Sequence, residues 1–365
     1  MKIISLGVEE GLFDESSKVR ERILSYGKLF DEYHIIAFTK TKREKSQIAN
    51  VSIYPIFAKN KVRALLEAYR QIKNIIQDKP KRDTVITSQD PFEIGFLAYF
   101  VAKRFAVPLQ LQIHINFFTP EFKQESIRHV WQARIANYIL PKATGIRSVS
   151  EQITKYLVTQ LAISPEKITT LPIATDIGYF SEVMQLPRPK EIPEKAKVVL
   201  MASRFEKQKN IPLGLEAFVK LHSSVFLVLI GRGSQESVIK NLVTSLHIEN
   251  KVILLPWVND LRPWYQFADV FLLTSNYESW GMTVVESIAS GTPVVATTVG
   301  CVEEIIEDGV NGYKVNVGDQ DMITERLANV LYDSAFNRSD VRASLNVLDT
   351  EAYMQAYQDA FKKLL

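Results

Sequence analysis

Residues 269–297 run Asp269-Val270-Phe271-Leu272-Leu273-Thr274, then Ser275-Asn276-Tyr277-Glu278-Ser279-Trp280-Gly281, then Met282-Thr283-Val284-Val285-Glu286-Ser287-Ile288-Ala289-Ser290. They close on Gly291-Thr292-Pro293-Val294-Val295-Ala296-Thr297. An apolar run, a polar loop, a short helical stretch stopped by glycine and a second apolar run opened by proline make one strand–loop–helix–strand unit. Strands joined in this way lie parallel, with a right-handed crossover. The rhythm spreads in both directions. Strands are expected at 197–202, 225–230, 251–255, 269–274 and 293–297, with helices near 211–222, 235–246, 261–267, 283–290 and 302–307. Upstream, strands are expected near 2–7, 33–38, 51–56, 84–88, 109–114 and 144–149. Helices near 17–31, 60–77, 93–105, 125–139 and 150–161 separate most of them. Val62, Leu65, Leu66, Tyr69, Ile72, Ile75 and Ile76 show the 3.6-residue period.

Between the two runs, residues 176–197 carry Pro187, Pro189 and Pro193 with mixed charge and no periodicity, which reads as a linker. The chain ends in a helical stretch, 350–365, after an irregular segment. The expected fold is α/β, with two doubly wound Rossmann-like domains: residues 1–180, a linker at 181–196, residues 197–345, and a closing segment 346–365. Ligands of such sheets sit at the carboxyl ends of the strands, so two facing domains imply a cleft.

Composition narrows the class. The 365 residues are 46% hydrophobic and 23% charged with 15 Gly and 15 Pro, the profile of a globular protein. Cys301 alone excludes a disulfide framework and any multi-thiolate zinc site, and fits a reducing compartment. The apolar start is too short for a signal peptide, and runs such as 95–102 fall short of a membrane span. A soluble cytoplasmic protein is expected. Residues 1–185 hold 26 Lys/Arg against 19 Asp/Glu, and residues 186–365 hold 18 against 22. The basic half suggests an anionic partner; interleaved acids and the lack of basic tails argue against nucleic acid.

Chemistry collects after the strands. In the quoted unit, Gly281 precedes the helix, and the first-turn amides of Met282 and Thr283 suit a phosphate. Glu278 and Glu286 flank that place, and carboxylates accept hydrogen bonds from hydroxyls. Diphosphate in the middle and polyols on both sides describe a nucleotide sugar. The competing reading makes Glu278 a cap and Glu286 a solvated residue. The loop Ser203-Arg204-Phe205-Glu206-Lys207-Gln208-Lys209-Asn210 offers the Arg204 fork and the Lys209 point charge for the diphosphate. An ordinary basic loop is its competing reading. Gly231-Arg232-Gly233 lacks the third glycine of a dinucleotide fingerprint and suggests only a tight turn near the nucleotide.

Upstream, His114 closes its strand, and Asp90 and Asn116 lie at similar strand ends. Arg147-Ser148-Val149-Ser150-Glu151 reads as a capping box with Ser148 at N-cap and Glu151 at N3. Asp90, Asn116 and Arg147 are the acceptor-side candidates. His34, His129, His222 and His247 have no ligand-like spacing. No cluster points to a metal.

Together these stretches resemble glycosyltransferase family 4, retaining enzymes of the GT-B fold. The resemblance covers most of the chain and is strongest over 197–315. It rests on the spacing of Glu278 and Glu286, of Arg204 and Lys209, and on the 287–296 run. Glu304 before Asp308-Gly309-Val310-Asn311-Gly312, and Leu171-Pro172 before Asp176, add to it. It implies that Arg204 and Lys209 bind the donor diphosphate, Glu278 the sugar hydroxyls and Glu286 the ribose diol. His114 would stand at the donor sugar, backbone at Gly281, Met282 and Thr283 would meet sugar and phosphate, and the final helix would cross back to the first domain. Two departures stand out: Gly7-Val8-Glu9-Glu10-Gly11 replaces the usual Gly-Gly-type loop, and Cys301 stands where glycine is usual.

The implied reaction moves a hexose from a UDP- or GDP-linked sugar to an acceptor hydroxyl with retention, in polysaccharide or glycolipid biosynthesis, without metal or cofactor. A sugar-nucleotide epimerase and an inactive nucleotide-sugar-binding protein are the alternatives. The acceptor is a sugar or a lipid-linked molecule. Lys59 to Arg82 holds eight Lys/Arg against Glu67 and Asp78, and with Phe117, Phe118 and Phe122 suggests peripheral contact with an anionic membrane at its inner face. The competing reading is a helix that packs its apolar side on the sheet.

Overall fold

Runs such as Val225–Ile230, apolar at every position, suit a parallel strand covered on both faces, and five of its six residues are buried. A computed structural model of the chain describes every residue except 9, 16, 78–82, 185–187 and 334–335. The chain divides into two compact units, Met1–Pro172 with Glu351–Leu365, and Ile173–Thr350.

In the first unit the elements run β1 (Lys2–Gly7), α1 (Lys18–Gly27), β2 (Glu32–Phe38), β3 (Ser46–Ile48), β4 (Val51–Ile56), α2 (Lys61–Gln77), β5 (Thr84–Ser88) and α3 (Glu93–Phe105). They continue with β6 (Leu109–Ile113), α4 (Pro120–Glu125), α5 (Ile127–Ile139), β7 (Gly145–Ser148), α6 (Glu151–Leu161) and β8 (Ile168–Thr170). The sheet order is β3-β4-β2-β1-β5-β6-β7-β8, parallel apart from the β3 edge. The short strands β3 and β8 are not evident in the sequence, because three residues carry too little pattern. The helix expected near 125–139 is α5, which Ser126 Oγ starts by accepting from His129 N at 3.2 Å; the short α4 before it is not among the expected elements, and Thr119 Oγ1 starts it by accepting from Phe122 N at 3.3 Å. The expected capping box is corrected too. Ser150, not Ser148, is the N-cap of α6, accepting from Ile153 N at 3.4 Å. Ser148 closes β7, and its hydroxyl pairs with Thr154 Oγ1 at 2.5 Å.

In the second unit come α7 (Ile177–Ser181), β9 (Lys197–Ala202), α8 (Ile211–Phe218), β10 (Val225–Ile230), α9 (Glu236–Ser245), β11 (Val252–Leu255), α10 (Arg262–Phe267) and β12 (Val270–Leu273). Then follow α11 (Met282–Ala289), β13 (Val294–Thr297), α12 (Val302–Ile305), β14 (Gly312–Val315), α13 (Gln320–Ala328) and α14 (Arg338–Ala343). The order β11-β10-β9-β12-β13-β14 is all parallel and reverses between β9 and β12. Residues 173–180, read from sequence as the end of the first domain, pack within this unit: Phe180 meets the Tyr265 ring edge-on, and Ser290 Oγ donates to the Phe180 carbonyl at 3.2 Å. Residues 185–187 of the expected linker lie outside the described residues.

The final helix, α15 (Thr350–Lys362), packs on the first unit, as the resemblance implies. Tyr357 stacks on Tyr26 at 4.4 Å, Phe361 meets Phe30 edge-on, and Gln358 Nε2 donates to the Leu29 carbonyl at 2.6 Å. Among the described residues no helix is long and apolar enough to cross a membrane.

Candidate functional site

A crevice forms outside the carboxyl ends of strands where the winding of a sheet reverses, because neighbouring crossovers leave to opposite faces. In the second unit that place lies between β9 and β12, and it is where the loops 203–210 and 274–281 begin. The two loops are stitched together. Thr274 Oγ1 donates to the carbonyls of Lys209 at 3.0 Å and Asn210 at 2.9 Å, and Asn276 N donates to the Gln208 carbonyl at 2.7 Å. Asn210 Nδ2 donates to Asn276 Oδ1 at 3.0 Å.

This stitching brings Lys209 and Glu278 into a buried ion pair, their side chains 14% and 9% exposed. Ser275 Oγ donates to the same carboxylate oxygen of Glu278 at 2.7 Å. Sequence reading assigned Lys209 and Glu278 to different parts of a ligand; in the structure they hold each other. An ammonium has three donors, so the contact with Glu278 leaves Lys209 able to serve an anion as well. Arg204 is exposed at the head of its loop, and Arg232 is exposed after β10. Gly231 is a packing requirement, because a Cβ there would lie 2.0 Å from the Ser203 carbonyl oxygen. Ser234 donates to Glu206 through its hydroxyl at 2.6 Å and its amide at 3.2 Å, which holds that carboxyl below its ordinary pKa and ties the two loops.

Gly281, at φ +97°, is the N-cap of α11 and offers no side chain to the first turn. The amides of Met282 and Thr283 therefore have no preceding helical carbonyl to bond, and they stand beside Glu278 in sequence and on the same edge of the sheet. Gly300, at φ +59°, backs this loop: a Cβ would sit 2.4 Å from the Trp280 carbonyl oxygen and 2.9 Å from Glu278 Cβ. Cys301 N donates to the same Trp280 carbonyl at 2.6 Å. The Cys301 side chain is fully buried, and burial first, then Glu304 and Glu278, push its thiol well up in pKa. It packs as a small apolar group. Trp280 Nε1 is buried without a partner. One turn into α11, Glu286 accepts from Tyr265 OH at 2.9 Å. Tyr265 is fully buried, and burial and then Glu286 raise its phenol well above its ordinary pKa, so it remains a donor. Thr274, Ser275, Tyr265 and Gly300 were not singled out from sequence. The signal available was a pair of small hydroxyl residues directly after a strand.

In the first unit the winding reverses at β1 and β5. His114 follows β6, with Nε2 donating to Gln112 Oε1 at 3.1 Å when Nδ1 is the bare nitrogen. Burial first, then Arg147 and Arg22, lower its pKa to about 3, so the ring is neutral at ordinary pH. Arg147, expected on the acceptor side, is instead an interior clamp and 3% exposed. It donates to Gln112 Oε1 at 2.9 Å, to the Pro172 carbonyl at 2.8 Å and to Tyr353 OH at 2.8 Å, so it secures α15. Asn116 is 1% exposed and donates to Gln152 Oε1 at 3.1 Å, with its own Oδ1 unpartnered. Asp90 follows β5 and accepts from Phe92 N at 2.8 Å. Burial raises its carboxyl to about 6 in spite of that bond. Phe117 and Phe122 are buried, so they form no surface patch, and residues 78–82 of the basic stretch lie outside the described residues. Among the described residues no group of three or more His, Cys, Asp or Glu could hold a metal ion.

Comparisons with known proteins agree with this architecture. A curated relative from Bacillus anthracis, N-acetyl-alpha-D-glucosaminyl L-malate synthase, is 33% identical over 44% of this chain and 43% of its own. The alpha-monoglucosyldiacylglycerol synthase of Streptococcus pneumoniae is 24% identical over 87% of this chain and 76% of its own. The chain spans about half the length of the first curated relatives it matches, 43% and 51% for two of them. The Anabaena HepE protein, solved in complex with UDP-glucose, superposes with a TM-score of 0.75 at 18% identity over 97% of both chains, a likeness of fold. The profile of Glycosyltransferase Family 4 matches residues 27–178, and that of Glycosyl transferases group 1 matches residues 182–345. With nearly the whole length so matched, on two parallel-sheet α/β units, the chain belongs to the family 4, group 1 glycosyltransferases of the GT-B fold.

Proposed function

We propose that this chain is a retaining, metal-independent transferase that moves a hexose from a UDP- or GDP-linked sugar to an acceptor hydroxyl in glycolipid or polysaccharide assembly. The observation that carries the reading is the β9/β12 switch point. There the loops carrying Arg204, Lys209 and Glu278 and the start of α11 leave the same sheet edge, and in this reading the two cations and the first-turn amides serve one diphosphate while Glu278 and Glu286 serve hydroxyls. Charge develops on the diphosphate as the glycosidic bond breaks. Donors already fixed by the fold stabilise that charge without reorganisation, and each is worth about 10²–10³ in rate. In this reading they do what a divalent cation does in other transferases. Glu278, oriented by Ser275 and Lys209, accepts from sugar hydroxyls; Glu286, oriented by Tyr265, accepts from the ribose diol. His114, neutral and with its Nε2–H given to Gln112, accepts from a sugar hydroxyl at Nδ1 without adding positive charge. In this reading retention comes from same-face attack, the departing phosphate oxygen taking the acceptor proton. The UDP-glucose of the HepE structure and the glycosyl and lipid terms in the relatives' names support donor and acceptor classes of this kind.

The reading includes peripheral contact with an anionic membrane. Helices α2, α3 and α5 carry eight Lys/Arg against two Glu, and they expose Val62 (64%), Phe100 (54%), Ile127 (75%) and Trp131 (57%). Cations around exposed aromatic and aliphatic side chains complement anionic headgroups over hydrocarbon. Salt-sensitive co-sedimentation with anionic vesicles is expected, and none with neutral ones. The activity is tested by turnover of a panel of nucleotide sugars with and without EDTA. Turnover unchanged by chelator is expected; strong loss restored by a divalent ion removes the metal-independent mechanism.

A further inference from the structure

Outside the carboxyl ends of β1, β2, β5 and β6 the first unit holds a half-open cavity of about 440 Å³, bounded by α2, α3 and α5. Its walls are chiefly apolar: Phe38, Leu65, Phe92, Ile94, Ile115 and Phe122. The described polar groups that line it are paired, with one another or with backbone. Glu93 takes Lys61 at 3.3 Å, Arg128 at 3.4 Å and Gln132 Nε2 at 3.0 Å, and His129 Nδ1 bonds the Phe122 carbonyl at 2.9 Å. Asp90 accepts from the Phe92 amide. A sugar placed here would bury hydroxyls against hydrocarbon with few partners left, at a cost of about 1–3 kcal/mol per unpaired group. A hydrocarbon chain would lose nothing of that kind, and the volume suits a small-molecule ligand.

The rim decides where such a chain leads. Val8 and Ile115 are 56% and 38% exposed, and Ile115 directly follows His114. A chain held in the cavity thus leaves its polar head at the same sheet edge as His114. The cations Lys61 and Arg128, exposed at the mouth, lie on the helices whose outer faces carry the exposed apolar residues.

We infer that this cavity is an acceptor subsite that binds the hydrocarbon chain of an amphiphilic acceptor and leaves the head, with its nucleophilic hydroxyl, at the β1/β5/β6 edge. The inference rests on the transferase reading and makes the acceptor an amphiphile, not a free oligosaccharide. Each methylene drawn out of water is worth about 0.8 kcal/mol, or roughly a fourfold tightening, until the cavity is full.

The test is binding of a dansylated undecanoate to the full chain, displaced by n-alkyl glucosides of increasing length below their micelle concentrations. Saturable fluorescence is expected, with displacement tightening about threefold to fourfold per methylene and then levelling. Ala64→Trp, which fills the cavity from α2, and the smaller Ala64→Leu both shorten the length at which tightening stops. Probe binding indifferent to chain length, or unaffected by both fillings, overturns the subsite, because it then reports only the outer helical faces. Acceptor turnover is followed in parallel with the same glucosides. Turnover without chain-length dependence overturns this inference and leaves the transferase reading intact. Loss of the transferase reading, by contrast, appears as no turnover of any donor while displacement still reports on the cavity.

Discussion

The two sheets wind alike yet end differently. Leaving out the β3 edge, each places its first strand beside its second and its fourth in sequence, so each reverses at one point and opens a crevice there. In the second unit that crevice is built from loops held by Thr274, Ser275 and Asn276, which gather charge around α11. In the first unit it is an apolar cavity whose charged groups are consumed by mutual contacts. Topology therefore decides where ligands go in both, and loop chemistry decides what kind.

The largest expected effect comes from breaking the charged half. Lys209→Met leaves Glu278 buried without its cation, at a cost of about 3–5 kcal/mol. Glu278→Gln leaves the ammonium in place but loses the acceptor for sugar hydroxyls. Either change is expected to lower turnover by roughly 10²–10³, the scale for one preorganised contact. Denaturant titration separates the roles: Lys209→Met with Glu278→Gln is expected to recover part of the stability lost by Lys209→Met and none of the activity. Recovery of activity in the double variant would mean the pair serves the fold alone.

How much of this contrast was legible in sequence depends on spacing. Glu278, Glu286, Arg204 and Lys209 lie in two short stretches whose strand-to-loop registers are strong, so their common edge could be read from residue order. The cavity could not be read, because its walls come from β2, α2, α3, the loop after β6, α4 and α5, separated by long intervals. Arg147 misled for the same reason: its partners Gln112, Pro172 and Tyr353 are distant in sequence, and only the packing of α15 reveals a clamp. The strands β3 and β8, three residues each, are too short to carry a period, and β14, Gly312-Tyr313-Lys314-Val315, lacks the apolar run that marks its neighbours. Lys209 and Glu278 were both read as ligand groups, while their bond to each other needed the stitching of two loops to appear.

A middle-sized effect tests the apolar half through Asp90. Its carboxyl titrates near 6 in the folded chain against an ordinary value near 3.8, so the folded state binds the proton more tightly. Stability from this group is therefore present at pH 4 and declines as pH rises through 6, by about 3 kcal/mol. Asp90→Asn removes that slope. Denaturant midpoints at pH 4.5 and 7 are expected to converge in the variant relative to the parent chain. An unchanged difference would place the titration elsewhere and weaken the description of this crevice as a low-dielectric one.

The smallest expected effect returns to the charged half and asks how far its reactivity extends. Cys301 touches the site: its amide holds the Trp280 carbonyl, and its sulfur lies 3.7 Å from the Gly281 carbonyl oxygen. A thiolate there would add negative charge beside the place proposed for the diphosphate. Burial, with Glu304 and Glu278 nearby, keeps the thiol protonated instead, and a protonated buried thiol is neither nucleophile nor metal ligand. Cys301→Ala is expected to change turnover by no more than about threefold and to cost roughly 1 kcal/mol, since it removes one buried atom from a packed contact. Native protein is expected to resist iodoacetamide until denatured. Rapid alkylation of the folded chain, slowed by a nucleotide sugar, would show instead that the loop at 278–281 opens, and that the charged crevice is less fixed than its hydrogen bonds imply.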